Sequence, residues 1–351
     1  MFGKRLLFFS VPLPFRRWLL QLIVSAIVLG EYVSLDSPVS GQRANPNNGK
    51  RKPLDPKVWG DDHSGKPLLE YIQGDECLFC HRNDIGSTWQ MNTHGVTVRH
   101  RADASELKNM LDQQPSLTEV ADQIEYFLGS RRHIRFLKKE GYGKFAILNA
   151  QAFLDATGGT VKFNDSPKPD WDKDKFANRC AGCHTTAVDS STGRFSQFGL
   201  DCYTCHGAVD LKHSNDISLI LLSKKRRNDP KVITSLCAQC HLRGGKSSST
   251  GLPYPNNFVA GDNLFRDFEV DFTKADDQGL NAGDRHIWRN VRDVALYGDD
   301  SITCLSCHQV HNNSSFKHRR VLRSPLCSEC HQGEGFKNIK SYTVQSSLCE
   351  Y

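Results

Sequence analysis

The sequence predicts a fold organised on repeated cysteine pairs rather than on one apolar core, with a small antiparallel β insert early in the chain. Three observations carry this. The pattern Cys-x-x-Cys-His occurs six times in 351 residues. The apolar content is 38%, low for a globular protein. The longest interval between cysteine pairs, residues 82–179, contains no Cys and sets short apolar runs between glycine turns.

The six copies are Cys77-Leu-Phe-Cys80-His81, Cys180-Ala-Gly-Cys183-His184, Cys202-Tyr-Thr-Cys205-His206, Cys237-Ala-Gln-Cys240-His241, Cys304-Leu-Ser-Cys307-His308 and Cys327-Ser-Glu-Cys330-His331. Each reads as an attachment site for a c-type haem. Two thiols at this spacing form thioethers to the two vinyl groups of one porphyrin, and the adjacent His lies under the iron as its proximal ligand. Zinc ribbons, redox dithiols and disulfides also use paired Cys, but none of them requires a His straight after the second Cys. With 14 His in the chain, a His at any one position is about a 4% event, so six in a row select haem over those alternatives. Six covalently bound haems also account for the low apolar content, because each porphyrin presents a large apolar face that the protein must cover.

The N-terminus reads as an export signal over residues 1–41. Lys4, Arg5, Arg16 and Arg17 form a basic region, Trp18 to Gly30 is uncharged and mostly apolar, and Val39-Ser40-Gly41 offers small residues for cleavage before Gln42. The run is short for a spanning helix; an uncleaved anchor is the alternative. The expected location is therefore periplasmic. The formal charge is +6. Removing a leader with four basic and two acidic residues leaves about +4, and two propionates per haem take the loaded protein to neutral or acidic. Nucleic-acid binding is not expected. Lys224-Lys225-Arg226-Arg227 and Arg319-Arg320 read as solvated or propionate-paired.

Residues 42–70, rich in Asn, Pro, Gly, Lys and Asp, read as a flexible lead-in. A four-haem region then spans 71–245, a crossover 246–285, and a C-terminal two-haem module 286–340. Within the first region Ala104 to Gln114 reads as a short helix. Ser116-Leu-Thr-Glu119 is a capping-box pattern, followed at helical spacing by Leu117, Val120, Ala121, Ile124 and Leu128. From Gln123 a strand reading competes, and the β insert is placed at about 123–165. Its strands are Ile134–Lys138, Lys144–Leu148, Phe153–Ala156 and Thr160–Phe163, with turns at Gly141-Tyr142-Gly143 and Gly158-Gly159. The insert is expected to cover a haem face. The short intervals from Cys180 to Cys202 and from Cys304 to Cys327 are expected to bring those two pairs of porphyrins close. His286 to Tyr297 reads as a helix.

The sixth position on each iron decides the chemistry. Eight His lie outside the motifs. His94, His213, His286 and His311 are the leading distal candidates; His318, His133 and His100 follow, and His63, in the lead-in, comes last. His311 is too near its own motif to reach the far side of that haem, so it is expected to serve a neighbour. Beyond the leader only Met91 and Met110 could give His/Met ligation, so bis-His irons at low potential are expected.

Trp89…His94, Glu125-Tyr-Phe-Leu-Gly129, Cys180-Ala-Gly-Cys-His-Thr185, Gly199-Leu-Asp-Cys-Tyr-Thr-Cys-His-Gly207…His213 and Cys304-Leu-Ser-Cys-His-Gln-Val-His311 resemble the multihaem cytochromes c related to the tetrahaem cytochrome c five-fifty-four of ammonia oxidisers. That group lies in the superfamily of hydroxylamine oxidoreductase and pentahaem nitrite reductase. The resemblance runs from about residue 70 to 335. It implies a mostly α-helical and irregular fold wrapped round stacked haem pairs, and it implies His94, His213, His286 and His311 as distal ligands by position. The chain departs from the enzymes: it has no Cys-x-x-Cys-Lys. None of Tyr142, Tyr203, Tyr254 and Tyr297 matches the Tyr that crosslinks the catalytic haem of hydroxylamine oxidoreductases.

The leading expectation is an exported hexahaem c-type cytochrome that passes electrons to and from redox partner proteins. The alternative is a multihaem oxidoreductase with one open-site haem acting on a small nitrogen or sulfur compound such as hydroxylamine or nitrite. A third reading is a haem subunit of a membrane-associated respiratory complex, to which the unpaired Cys349 could contribute a contact.

Overall fold

The computed structural model describes residues 55–311, apart from 91, 130–132, 156–157, 217–218, 223–228, 278, 294 and 298–302. The leader, the first part of the lead-in, Met91, the Lys224–Arg227 run, His318, Arg319-Arg320, the sixth motif with Cys327, Cys330 and His331, and Cys349 lie outside the described residues. Among the described residues no helix is long and apolar enough to cross a membrane.

The largest regular element is an antiparallel sheet. Its strands are β1 (Val98–His100), β2 (Tyr126–Leu128), β3 (His133–Gly141), β4 (Lys144–Asp155), β5 (Gly158–Phe163) and β6 (Trp171–Asp172). They pair in the order β1-β2-β3-β4-β5, with β6 also on β4. Successive residues of a strand face opposite sides, and both sides are apolar here. One face sets Phe127, Ile134, Phe136, Leu148, Ala150 and Ala152 against Leu107, Met110 and Leu111. The last three lie on helix Ser105–Asp112, within the segment read as Ala104 to Gln114. The other face sets Leu128, Leu137, Phe145 and Ile147 against Phe176 and Ala181, at the entrance to the second motif.

Several sequence expectations are corrected. Lys144–Leu148 and the described part of the next predicted strand, Phe153–Asp155, belong to one long strand, β4, and Asp155 pairs with Gly158, so Gly158 and Gly159 open β5. The capping-box pattern does not start an α-helix. Pro115–Leu117 and Ala121–Gln123 form two tight 3-10 turns, which still bury Leu117, Val120 and Ile124. The insert also has an apolar core of its own on one face, built from side chains alone.

The lead-in from Asp55 onward is held, not free. Asn263 donates its side-chain amide to the carbonyls of Pro56, Lys57 and Gly60 (2.9, 3.1 and 3.3 Å), and Trp59 packs edge-on to Phe265. The segment read as a surface crossover is likewise packed. Buried Asp267 accepts from the Ser247 hydroxyl (2.5 Å) and from the backbone N–H groups of Ser249 and Asn256 (3.0 and 3.3 Å). Tyr254, Leu264, Phe265 and Phe268 are buried. Helix Pro230–His241 and helix Ala282–Asp293 share one apolar cluster through Ala238, Leu242, Trp288 and Val291. The division read at residue 245 therefore does not coincide with a break in packing.

Candidate haem-binding site

Each of the five described motifs lies on or ends a short helix. They are α1 (Gly74–His81), α2 (Ala181–His184), α3 (Cys202–His206), the end of α4 (Pro230–His241) and α5 (Cys304–Cys307), with His308 just beyond. Helical spacing puts the two Cys, three apart, on one face and the His beside the first of them. Local chemistry starts these helices. Asp201 caps α3 by accepting from Tyr203 N–H at 2.9 Å, and Asp229 caps α4, whose first residue is Pro230. Thr303 and Ser306 form a capping box on α5. Gly182, inside the second motif, leaves room for Tyr254: a Cβ there would lie 2.2 Å from the Tyr254 ring.

None of the ten motif cysteines among the described residues forms a disulfide. Contacts between them link motifs that are not neighbours in sequence. Cys202 lies near Cys77, Cys240 near Cys183 and Cys237 near Cys304. The segments of the second and third motifs, expected to be a close pair, meet through the hydroxyls of Thr186 and Thr204 at 3.2 Å. The partner motif of Cys304 expected from spacing, at Cys327, lies outside the described residues.

Three motif histidines each face a histidine from elsewhere in the chain. His81 faces His213 with ring centres 6.2 Å apart and planes at 21°. His206 faces His311 at 6.0 Å and 19°. His241 faces His94 at 6.2 Å and 89°. A metal–imidazole bond of about 2 Å on each side, plus roughly 1.1 Å from nitrogen to ring centre, needs about 6.2 Å between ring centres. The spans thus match one iron held between two imidazoles.

Long-range contacts set up these pairs. Thr88 and Asn92, in the loop after the first motif, donate to the carbonyls of His311 (3.0 Å) and Val310 (2.6 Å). Leu200 N–H donates to the His94 carbonyl at 2.9 Å. Gly199 (φ 76°) makes that approach possible, since a Cβ there would lie 2.0 Å from the Gly95 oxygen.

The nitrogens are also in the right chemical form. His81 donates Nδ1–H to Asp84 (3.1 Å), and His213 donates Nδ1–H to the Asp210 carbonyl (2.8 Å). Both bonds leave Nε2 free, as a ligating His requires. Burial pushes His184 and His206 down to about 4, so both are neutral. Neutral imidazole is the metal-binding form. Each also keeps a buried Nδ1 with no hydrogen-bond partner. These residues fit c-type haem. Among the described residues no group of three or more His, Cys, Asp or Glu is placed to hold a single metal ion between them.

The remaining candidates are placed elsewhere. His286 is exposed on helix Ala282–Asp293, where its carbonyl accepts from Asn290 at 2.8 Å. His100 accepts from Ala102 N–H and packs on Tyr126, and His133 packs on Phe153 at 4.9 Å; neither faces a described motif His. His63 donates Nδ1–H to Asp262 at 2.6 Å. Met110 is buried in the core above the sheet. Of the tyrosines, Tyr203 and Tyr254 are buried, and Tyr142 is exposed.

Sequence reasoning missed the supporting groups. Asp84 lies three residues after its His and could have been found from the run Cys-His-x-x-Asp. Tyr71, which hydrogen-bonds the helix-capping carboxylate of Asp201, gives no local signal.

No protein-family description matches the chain, and no curated protein does. A solved structure that resembles it is an undecahaem cytochrome from the S-layer of Carboxydothermus ferrireducens, 18% identical with a TM-score of 0.42. The match covers 78% of this chain and 44% of that one, so the chain spans under half of its length. The likeness is remote and does not decide the fold.

Proposed function

We propose that this chain is an exported hexahaem c-type cytochrome that carries electrons between redox partner proteins along covalently bound, mainly bis-His haems. The facing histidine pairs carry this reading: three motif histidines each meet a second imidazole at the span of one iron. The sixth motif enters from the sequence alone. The superfamily of cytochrome c five-fifty-four belongs to the same proposal, as do the periplasmic location and the stacking of haems on neighbouring motifs.

Haem supplies one-electron exchange at iron. The chain's own residues do the rest. The cysteines tether each porphyrin, and the histidine pairs close both axial positions, which favours carrying over catalysis. The thiol contacts support an order of neighbours in which the first haem lies beside the third, the second beside the fourth and the fourth beside the fifth.

Haem staining and intact mass of the purified protein test the count: six haems per chain are expected, and fewer would show an unloaded motif. EPR tests the ligation. Two haems with near-parallel imidazoles and one with perpendicular imidazoles should give distinct low-spin signals. Replacing His311 should turn one haem high-spin; an unchanged spectrum would remove it as a ligand.

One observation favours the second reading, an oxidoreductase with an open haem. Among the described residues no histidine ring faces His184, whose Nδ1 is buried without a partner. A haem on the second motif would then offer an open sixth position to a small nitrogen or sulfur compound. Nitrite, hydroxylamine or carbon monoxide should perturb one high-spin haem. A spectrum low-spin throughout and indifferent to all three retires this reading, as it would if His318 supplied the ligand.

A further inference from the structure

We propose that Asp84 is the positioning residue that makes the haem on Cys77 and Cys80 lower in potential than the haem on Cys202 and Cys205. This rests on the cytochrome reading above. The two axial pairs have matching ring spans and nearly matching plane angles, 6.2 Å and 21° against 6.0 Å and 19°. What differs is what stands behind the imidazoles.

At the first motif both rings are held from behind. His81 donates Nδ1–H to the Asp84 carboxylate at 3.1 Å, and His213 donates Nδ1–H to the Asp210 carbonyl at 2.8 Å. At the third motif, His206 Nδ1 is buried with no acceptor. An acceptor behind a ligating imidazole fixes its tautomer and raises its basicity. A carboxylate does this most, because a negative charge favours the extra positive charge of ferric over ferrous iron. Solvent acts in the same direction. His81 and Asp84 side chains are 41% and 63% exposed, Phe79 is 89% exposed, and water stabilises the more charged ferric state. His206 and its neighbour Cys205 are half-buried, with the His206 Nδ1 itself out of water.

The geometry that delivers Asp84 is local. Residues Arg82–Gly86 continue α1 as a wider π-helical turn, and this brings the carboxylate three residues on to the ring of His81. Carboxylate and ring belong to one short stretch of chain, so the brace survives movement elsewhere.

The test is a redox titration of the full holoprotein, followed by optical and NMR spectra that resolve individual haems, on the wild type, Asp84→Asn and Asp84→Glu. In the wild type the haem ligated by His81 and His213 should be reduced after the one ligated by His206 and His311; the reverse order overturns the proposal. Asp84→Asn should weaken the ferric preference of the haem ligated by His81 and His213 about tenfold, an upward shift of about 59 mV for one electron, move the haem ligated by His206 and His311 by less, because the Asp84 charge also reaches His311, and leave the others in place. Asp84→Glu should return that haem toward its wild-type value. Asp84→Asn with every haem loaded and no component moved also overturns the proposal, as does an equal shift in both variants. If Asp84→Asn fails to load its haem, the wild-type order still decides. A peptide spanning Cys77–His81 that carries no haem in the wild type would instead overturn the cytochrome reading at that motif, whatever Asp84 does.

Discussion

The sheet and the motif-bearing segments of this chain draw their order from different sources. In the sheet, Phe127, Ile134, Phe136 and Leu148 are buried among side chains of the same chain, and hydrogen-bonded ladders run the length of β3 and β4. In the motif segments the helices are short, from the four residues of Ala181–His184 to the twelve of Pro230–His241. Helices of that length are marginal alone, and most of the motif cysteines are only half buried. What fixes these segments is a set of caps, a few close backbone approaches such as Gly199 on Gly95, and a histidine opposite a histidine. The difference teaches that the sheet is complete as a polypeptide, whereas on the proposed reading the motif region is shaped around haems that the chain does not encode as side chains.

The strongest way to break the comparison is to block haem attachment. Protein made without haem ligation should keep hydrogen-exchange protection in His133–Gly141 and Lys144–Asp155 while losing it in Cys202–His206 and Cys304–Cys307. Equal loss in both regions would show that the sheet is not independent. A smaller, opposite lesion is Phe136→Ala, expected to cost about 3–5 kcal/mol in denaturant unfolding through the cavity it leaves. Below the transition, the haem spectra should not change. Tyr71→Phe removes the phenol that hydrogen-bonds buried Asp201 and should cost about 1–3 kcal/mol, read as lower protection of Cys202–His206 with the sheet untouched. Least of all, Asp229→Ala removes the cap of Pro230–His241 and should cost about 1 kcal/mol, seen as a small drop in the unfolding midpoint.

Legibility in the sequence followed the same division. The strand pattern of Ile134 to Leu148 could be read because alternation is a local signal and both faces of the sheet are filled by residues near in sequence. The segment from Leu117 to Ile124 misled, because successive 3-10 turns can bury the same spaced residues as an α-helix, and Pro115 starts such a turn. The Cys and His of each motif were legible because one helical turn contains them. Which motif lies beside which was not. Cys77 approaches Cys202 and Cys237 approaches Cys304 through long-range packing, which no interval along the chain signals. His311 was legible as a histidine set too close to its own motif to serve it, but only the segment carrying Thr88 and Asn92 shows why it comes to face His206.

The facing of His206 and His311 has a consequence for biogenesis. A chain threaded outward from its N-terminus delivers His94 before His241, so the fourth motif meets its second ligand already in place. His206 emerges long before His311. On the proposed reading, a haem joined early to Cys202 and Cys205 waits with one axial face bare until the fifth motif arrives. Nascent chains stopped between the two histidines should therefore carry a high-spin haem that the finished protein lacks, and a low-spin spectrum in those chains would show that another group guards the iron in the interval.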